Sequence, residues 1–367
     1  MKIISFLVFF LFTFPVWAIE PHYVGGFAQF DTQYGVMAGS PYQAAMGLRR
    51  IRTDFRGDVG RFAYRVNLDH AGSATSVVDA YFEFSPRSDL SVRMGRSRSP
   101  LGFEILQSLT ELVFPEYGAT HAFLPNRDTG VFLTYKVPKL TVNAAYLAGS
   151  PDGSSLSKNE DVSGALVCRV TSDLGETLKG SLAGSLETRA RKSGDVASSL
   201  LSSYAISGGS TFFSYGKDTY AEGLFYRIVP NLVWTHGPFG GMAEAVFSQN
   251  NVRNGDKSQG LLHYAWQMTW YWTLLGEADA VYGSNAFDHE GWQWGLRWGG
   301  ARMDALSFSS FADQSQTESL FVLGSAVNWY WGREAKWSLG IDEVFHTRAS
   351  GQVSRETVAT ARLQVVY

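Results

Sequence analysis

The chain ends in Val358-Ala-Thr-Ala-Arg-Leu-Gln-Val-Val-Tyr367, where Ala359, Ala361, Leu363, Val365 and Tyr367 fall on one face of a strand that closes on an aromatic carboxy-terminus. An apolar face and an aromatic end are what the closing strand of an outer-membrane β-barrel requires. In hydrocarbon every backbone N–H and C=O must be paired within the protein, so a sheet spans a bilayer only when its last strand pairs with its first.

Alternating runs recur upstream, separated by Gly, Asp, Asn, Ser and Pro. In Phe62 to Asp69, the residues Phe62, Tyr64, Val66 and Leu68 share one face, while Ala63, Arg65, Asn67 and Asp69 share the other. Similar runs are Ser91–Met94, Gly130–Tyr135, Leu140–Tyr146 and Leu339–Phe345. Sixteen or seventeen can be recognised. Bacterial single-chain barrels use even numbers, so the expected fold class is an all-β transmembrane antiparallel barrel of sixteen strands, with eighteen as the alternative.

The amino-terminus reads as a secretory signal. Met1-Lys2 is followed by an apolar run from Ile3 to Val16, and Val16-Trp17-Ala18 supplies a cleavage site after Ala18. The expected organisation is therefore a signal peptide over 1–18 and one barrel domain over 19–367. No other apolar stretch approaches the roughly 20 residues of a spanning helix. Without Lys2 the mature chain holds 30 basic and 34 acidic residues, a net charge of −4 that makes nucleic acid an unsuitable partner. The single cysteine, Cys168, excludes an intramolecular disulfide and reads as a small wall residue. Ten of the eleven tryptophans lie at or beyond Trp234, in clusters such as Trp266-Gln-Met-Thr-Trp-Tyr-Trp272, and are expected at the headgroup level.

One stretch breaks the period of two. Residues Arg98 to Arg127 form a long apolar segment whose Leu106, Leu109, Leu112 and Phe114 need cover. The expectation is a loop folded into the lumen, with a short helix inside Ile105–Phe114.

Charge concentrates near that loop. If Ile51, Thr53 and Phe55 face lipid, then Arg50, Arg52, Asp54 and Arg56 face the lumen, and Arg49 points outward at the rim. Arg65, Arg93, Arg96, Arg98 and Arg127 extend the candidate anion-binding set, because guanidinium groups stay charged and donate several hydrogen bonds to oxyanions. Asp79, Tyr81, Glu104, Thr110 and Tyr117 are the candidate constriction residues. Residues 49 to 127 hold eleven arginines against nine acids, so a salt-bridged wall that stiffens the barrel is an equal reading.

No enzyme pattern accompanies these residues. The seven histidines are scattered, and neither a paired-Cys zinc pattern nor a phosphate loop is present, so no catalytic residue, metal or cofactor is assigned. The tips Asp152-Gly-Ser-Ser, Asn254-Gly-Asp-Lys and Asp313-Gln-Ser-Gln read as solvated turns.

Several segments together resemble the phosphate-selective porins O and P of Gram-negative outer membranes. They are Arg49-Arg50 leading to Phe55 and Gly57; Val78-Asp79-Ala80-Tyr81; Gly95-Arg96 with Gly102-Phe103-Glu104; Asn126 to Val131; Gly291-Trp292-Gln293-Trp294 with Leu296-Arg297; and Val327-Asn328-Trp329-Tyr330. The resemblance implies a sixteen-stranded homotrimeric porin with its third long loop in the pore. It matches Arg49 and Arg50 to paired basic residues, Asp79 to an acid near the constriction, and Arg98–Arg127 to the constriction loop. Thr110 and Tyr117 stand where phosphate-selective members carry basic side chains, and Phe27 stands in place of an early luminal arginine. Fewer charges weaken a dehydrated anion site.

The expected function is passive diffusion of small hydrophilic solutes, inorganic or organic anions foremost and phosphate among them, through a barrel bathed in outer-membrane lipid. A non-conducting structural or adhesive barrel is the alternative from another class, and a surface enzyme the third.

Overall fold

Period-two patterning becomes a closed wall. The computed structural model describes residues 23–37, 43–71, 74–149, 162–190, 200–274, 290–332 and 334–367; the expected signal peptide and the tip at Asp152 lie outside them. The first nine strands are β1 (Tyr23–Met37), β2 (Gln43–Val59), β3 (Phe62–Asp69), β4 (Ser76–Arg87), β5 (Leu90–Arg98), β6 (Arg127–Val137), β7 (Leu140–Leu147), β8 (Val162–Asp173) and β9 (Leu178–Ala190). A small hairpin follows, β10 (Tyr204–Ala205) and β11 (Thr211–Phe213), paired only with itself. The wall resumes with β12 (Tyr220–His236), β13 (Phe239–Asn254), β14 (Lys257–Thr273), β15 (Gly291–Arg302), β16 (Thr317–Trp331), β17 (Ala335–Arg348) and β18 (Val353–Val366).

Sixteen of these strands form one antiparallel barrel, closed where β18 pairs with β1. Tyr367 extends the seam. Its N–H donates to Gly26 O, its carbonyl accepts from Gly26 N, and its hydroxyl donates to Arg52 O. No backbone edge is left to hydrocarbon, as the carboxy-terminal pattern requires.

Polarity is the inverse of a soluble sandwich. Phe62, Phe82, Met94, Leu166, Leu182 and Leu339 are exposed on the outside, whereas Gln29, His263, Gln267, Gln293, Asn328 and Gln364 are buried inside. Cys168 is exposed on the outer face beside Leu166 and Val170. Eight tryptophans (Trp234, Trp270, Trp272, Trp292, Trp294, Trp329, Trp331 and Trp337) sit near the end of the barrel that carries the chain termini, on β12 and β14 to β17. There Trp292 and Trp329 stack at 5.3 Å. Apart from the stretch 274–290 between β14 and β15, short turns occupy this end, and most of the long loops occupy the other, the asymmetry of an outer-membrane barrel whose turns face the periplasm. The tip at Asn254 is an exception at the loop end, a two-residue turn in which Gly255 takes φ 59°.

Two loops fill much of the lumen. Residues 99–126 fold inward as anticipated, but two 3₁₀ turns, Glu104–Leu106 and Ala119–Phe123, replace the helix expected over Ile105–Phe114. The intervening apolar residues serve different clusters, so no single helical face would cover them: Leu109 and Leu112 pack with Tyr117 and Phe27, while Val113 and Phe114 pack with Tyr271, Ala326 and Tyr330. The second insertion, around β10–β11, was not anticipated. Tyr204, Ile206, Phe212 and Phe213 join Leu101, Ile105, Phe123 and Leu124 in one apolar core. Small inward residues of the wall, including Ala145, Ala165, Ala183, Val229, Ala265 and Val322, make room for it.

Candidate functional site

Three glycines make the bed on which the inward loop lies. A Cβ at Gly295 would come within 2.4 Å of Val113, one at Gly324 within 3.1 Å of Phe114, and one at Gly340 within 2.7 Å of Pro115. Polar wall residues then take up the loop's backbone: Asn328 Nδ2 donates to Val113 O at 2.8 Å, Lys336 Nζ to Leu112 O at 2.9 Å, and Arg297 Nη1 to Glu116 O at 2.8 Å. Arg362 Nη1 donates to Pro115 O. At the loop's start, Glu104 accepts from Gly118 N and Gln267 Nε2, and Glu244 accepts from Phe103 N and Thr120 Oγ1. Burial pushes the Glu104 carboxyl up, against the field of Arg297 and these hydrogen bonds. Glu104 is thus a buried anchor between loop and wall.

Most of these loop contacts run to the β13–β18 side, and the opposite β2–β6 arc carries the densest set of arginines. On that arc the arginines are clamped by carboxylates. Arg52 Nε donates to Asp69 at 2.9 Å, Arg65 Nε to Asp54 at 2.7 Å, Arg127 Nε to Asp79 at 2.8 Å, and Arg93 Nε to Glu83 at 2.8 Å. Arg56 shares Asp54 and is the most open of the set, with 53% of its side chain accessible. Arg93 also lies over the Tyr81 ring at 4.2 Å, and Arg52 over Phe27 at 5.7 Å.

Arg49 corrects the sequence reading. Gln29 pairs with Arg50 and Phe30 with Leu48, so Arg49 is the extra residue of a β-bulge. The bulge turns it inward, where its Nε donates to Glu116 at 3.0 Å. Strict alternation predicted the outer face, and no feature of the sequence announces the bulge. Glu116 is the centre of this cluster and was missed as a site residue. It also accepts from Arg362 Nη2 at 2.7 Å and Ser207 Oγ at 2.9 Å, and lies 3.6 Å from Arg50. Burial raises its carboxyl, but Arg50, Arg362 and Arg49 together outweigh that and hold it well below the usual range. Arg362 in turn is bidentate on Asp31.

On β5, Gly95 takes φ 128°, and a Cβ there would come within 2.2 Å of Ala80 O. The strand's facing changes across it: Met94 points out and Arg98 points in. Arg98 Nη1 donates to Leu106 O at 2.8 Å and Gln107 O at 2.5 Å, and among the described residues no carboxylate bonds it. Arg52, Arg98 and Arg127 repel one another. Tyr117 lies in their field, its phenol pushed up by burial. It stacks on His121, which burial lowers to about 4. A cavity of about 520 Å³ opens beside them, lined by Arg52, Asp69, Arg96, His121, Asn126 and Arg127 among others. Thr110 Oγ1 meets Ser108 Oγ at 2.7 Å, and its carbonyl accepts from Gln364.

The predicted arginines are therefore gathered on one arc, with Asp79 and Tyr81 among them, whereas Glu104 and Thr110 lie on the loop's anchored side. Among the described residues, no three His, Cys, Asp or Glu side chains gather to hold a metal ion.

Three solved structures share this architecture. One is the outer membrane channel DcaP of Acinetobacter baumannii, with a TM-score of 0.65 at 13% identity over 96% of this chain and 99% of that one. Another is an anion-selective porin from Comamonas acidovorans, with 0.60 at 10% identity over 95% and 99%. The third is the trimer form of OmpT from Vibrio cholerae, with 0.55 at 10% identity over 95% and 100%. Identities this low establish the fold alone. No curated protein matches the chain. The family model for phosphate-selective porin O and P matches residues 23–367, the whole of the barrel, so with its closed sixteen-strand wall and inward loop the chain belongs to the phosphate-selective porin O and P family.

Proposed function

We propose that the chain passes small anions along the arginine arc, from the open group Arg56, Arg65 and Arg93 to the inner group Arg50, Arg52, Arg98 and Arg127. Membership of a porin family makes it an outer-membrane channel and not an enzyme. The observation that carries anion preference is Arg98, whose guanidinium is held by backbone carbonyls beside two other arginines. Positive charge is therefore in excess around Arg98, and basic rings in a pore favour anions. The carboxylates of the salt-bridged wall reduce that excess without removing it.

The test is a reversal potential in planar bilayers under a chloride gradient. Anion-selective current is expected, with selectivity falling in Arg98→Gln. A cation-selective current would refute the reading, and absence of current would favour a non-conducting barrel.

Trimeric assembly belongs to the same proposal. Strands β3, β5 and β7 are only 8, 9 and 8 residues long, against 16 or 17 in β12 to β14. Eight residues at barrel tilt rise roughly 20 Å, short of the ~25 Å apolar band. This low arc also lacks the tryptophans that rim the opposite side, as a wall covered by neighbouring subunits would. A monomer on native mass measurement in detergent would refute it.

A further inference from the structure

The outer face of β15 to β18 carries a row of side chains that conduction does not use. Phe321 pairs with Phe345, and Phe345 with Arg355, while Arg302 stands two positions beyond Gly300, the β15 partner of Phe321. Each lies eight positions along its strand from a residue of the tryptophan end: Arg302 from Trp294, Phe321 from Trp329, Phe345 from Trp337 and Arg355 from Leu363. At barrel tilt eight residues rise roughly 20 Å, most of the ~25 Å apolar band. The row therefore sits where acyl chains give way to the headgroups of the outer leaflet. Beside it the Trp266 ring lies next to Gly300 and meets Phe321, with ring centroids 6.5 Å apart.

Arginine on the lipid face is costly at the midplane and tolerated at this depth. Arg302 Nη2 lies 3.3 Å from Glu318, and Arg355 Nε donates to Glu343 at 2.5 Å, a carboxylate that also accepts from Thr357 Oγ1. The carboxylates steady the guanidinium groups without covering them, since 55% and 59% of the two arginine side chains stay accessible.

We propose that this row binds a phosphorylated glycolipid of the outer leaflet, with its phosphates on Arg302 and Arg355 and its acyl chains over Phe321, Phe345 and Trp266. The arginines are three strands apart, roughly 15 Å. That span fits phosphates at the two ends of a disaccharide and is too wide for one small ion. A guanidinium takes phosphate bidentately, and its aliphatic stem packs on apolar surface while the head reaches the headgroups. Glu318 and Glu343 balance the two arginines in charge. A leaflet whose phosphates are bridged by divalent cations presents both signs, so guanidinium meets phosphate and carboxylate meets cation. The proposal stands apart from the anion reading, because Arg302, Phe321, Phe345 and Arg355 face away from the lumen.

The test is native mass spectrometry of the full barrel in detergent with magnesium present. The barrel is titrated with an acylated glucosamine disaccharide carrying a phosphate at each end, and with the same lipid stripped of phosphate. The phosphorylated lipid is expected to bind on the order of tenfold more tightly, and Arg302→Gln or Arg355→Gln should each remove about that factor, since hydrogen bonds between charged groups are lost. Arg253→Gln, at the loop end of β13, should bind as wild type does. Heat-modifiable mobility on gels establishes that each variant is folded. Equal binding of the two lipids, or wild-type binding by both arginine variants, would overturn the proposal. Displacement of the lipid by excess inorganic phosphate would assign the arginines to the free ion instead, and loss of the oligomer in Arg355→Gln would assign them to a subunit contact; either result overturns it.

Discussion

Replacing Glu116 with glutamine tests whether charge holds the constriction in place. The carboxylate is 4% exposed and binds Arg49 at 3.0 Å and Arg362 at 2.7 Å, with Arg50 at 3.6 Å. Its folded pKa is depressed, so its contribution is complete above the ordinary carboxylate range and is lost only as pH falls through the folded value. Recordings at neutral pH therefore read it in full. Glutamine keeps the shape but leaves three guanidinium groups around a neutral amide. Breaking a buried pair by removing one partner costs roughly 3–5 kcal/mol. Backbone ladders hold the wall independently, so the loss falls on docking of the loop, which keeps its contacts to Asn328, Lys336 and Arg297.

Two readouts follow in planar bilayers. Open-channel noise should rise as the loop loosens. Anion selectivity should also rise, because one negative charge leaves the passage. At about 8 Å and an effective dielectric between about 20 and 80, that charge changes an ion's energy by about 0.5–2 kcal/mol. The change has opposite sign for anion and cation, so the anion-to-cation permeability ratio shifts by about 1–4 kcal/mol and grows at least roughly fivefold. Wild-type noise together with an unchanged reversal potential would refute the reasoning.

Gly340→Leu should lower single-channel conductance, because a side chain cannot fit where Pro115 lies within 2.7 Å of the missing Cβ and the loop must move toward the passage. Unchanged conductance would show that the loop does not bound the passage there. Burial raises Glu111 to about 7, against its hydrogen bond to Ser108 and the fields of Lys336 and Arg98. It should therefore ionise as pH rises through that value and reduce anion selectivity, with the step absent in Glu111→Gln; a step that survives the substitution belongs to another group.

The barrel was legible because period two is a local property of the chain: Phe62 to Asp69 can be assigned without knowing what it pairs with. Strand number followed only once the segment after β9 was seen to leave the wall. The aromatic stretch Thr211-Phe-Phe-Ser-Tyr215 lies in a long connection and was the available sign of a second luminal insertion. It was overlooked because its burial depends on small inward residues such as Ala265 and Ala301, far away in sequence. Arg49 and Glu116 fail for a related reason. A bulge is one unpaired residue with no mark in composition, and Glu116 acquires its role only when Arg49, Arg50 and Arg362 from two strands converge on it. The glycine bed could have been read in principle, since Gly295, Gly324 and Gly340 occupy inward positions where polar side chains alternate elsewhere. Its meaning required knowing that Val113 to Pro115 lie above it.

On the anion-channel reading proposed above, the salt-bridged wall and the anion path, set out as rival readings of the same arginines, describe one device. A free arginine side chain carries about 2 kcal/mol of rotamer entropy, and an unrestrained one would sweep across the lumen. Here the clamp is side-on. Arg65 engages Asp54 through Nε and Nη2, Arg127 engages Asp79 through the same two nitrogens, and Arg93 engages Glu83 likewise. In each case the carboxylate takes one edge of the guanidinium and fixes its orientation, while Nη1 stays on the other edge: Arg127 gives it to Asn126 and Arg93 to Ser97, neutral partners that a passing oxyanion can displace. Conduction needs sites that attract a solute yet release it. Full cationic charge would trap a multivalent anion, whereas an arginine already half neutralised binds weakly, so a near-balanced sum of charge is what a fast anion path built from arginine requires.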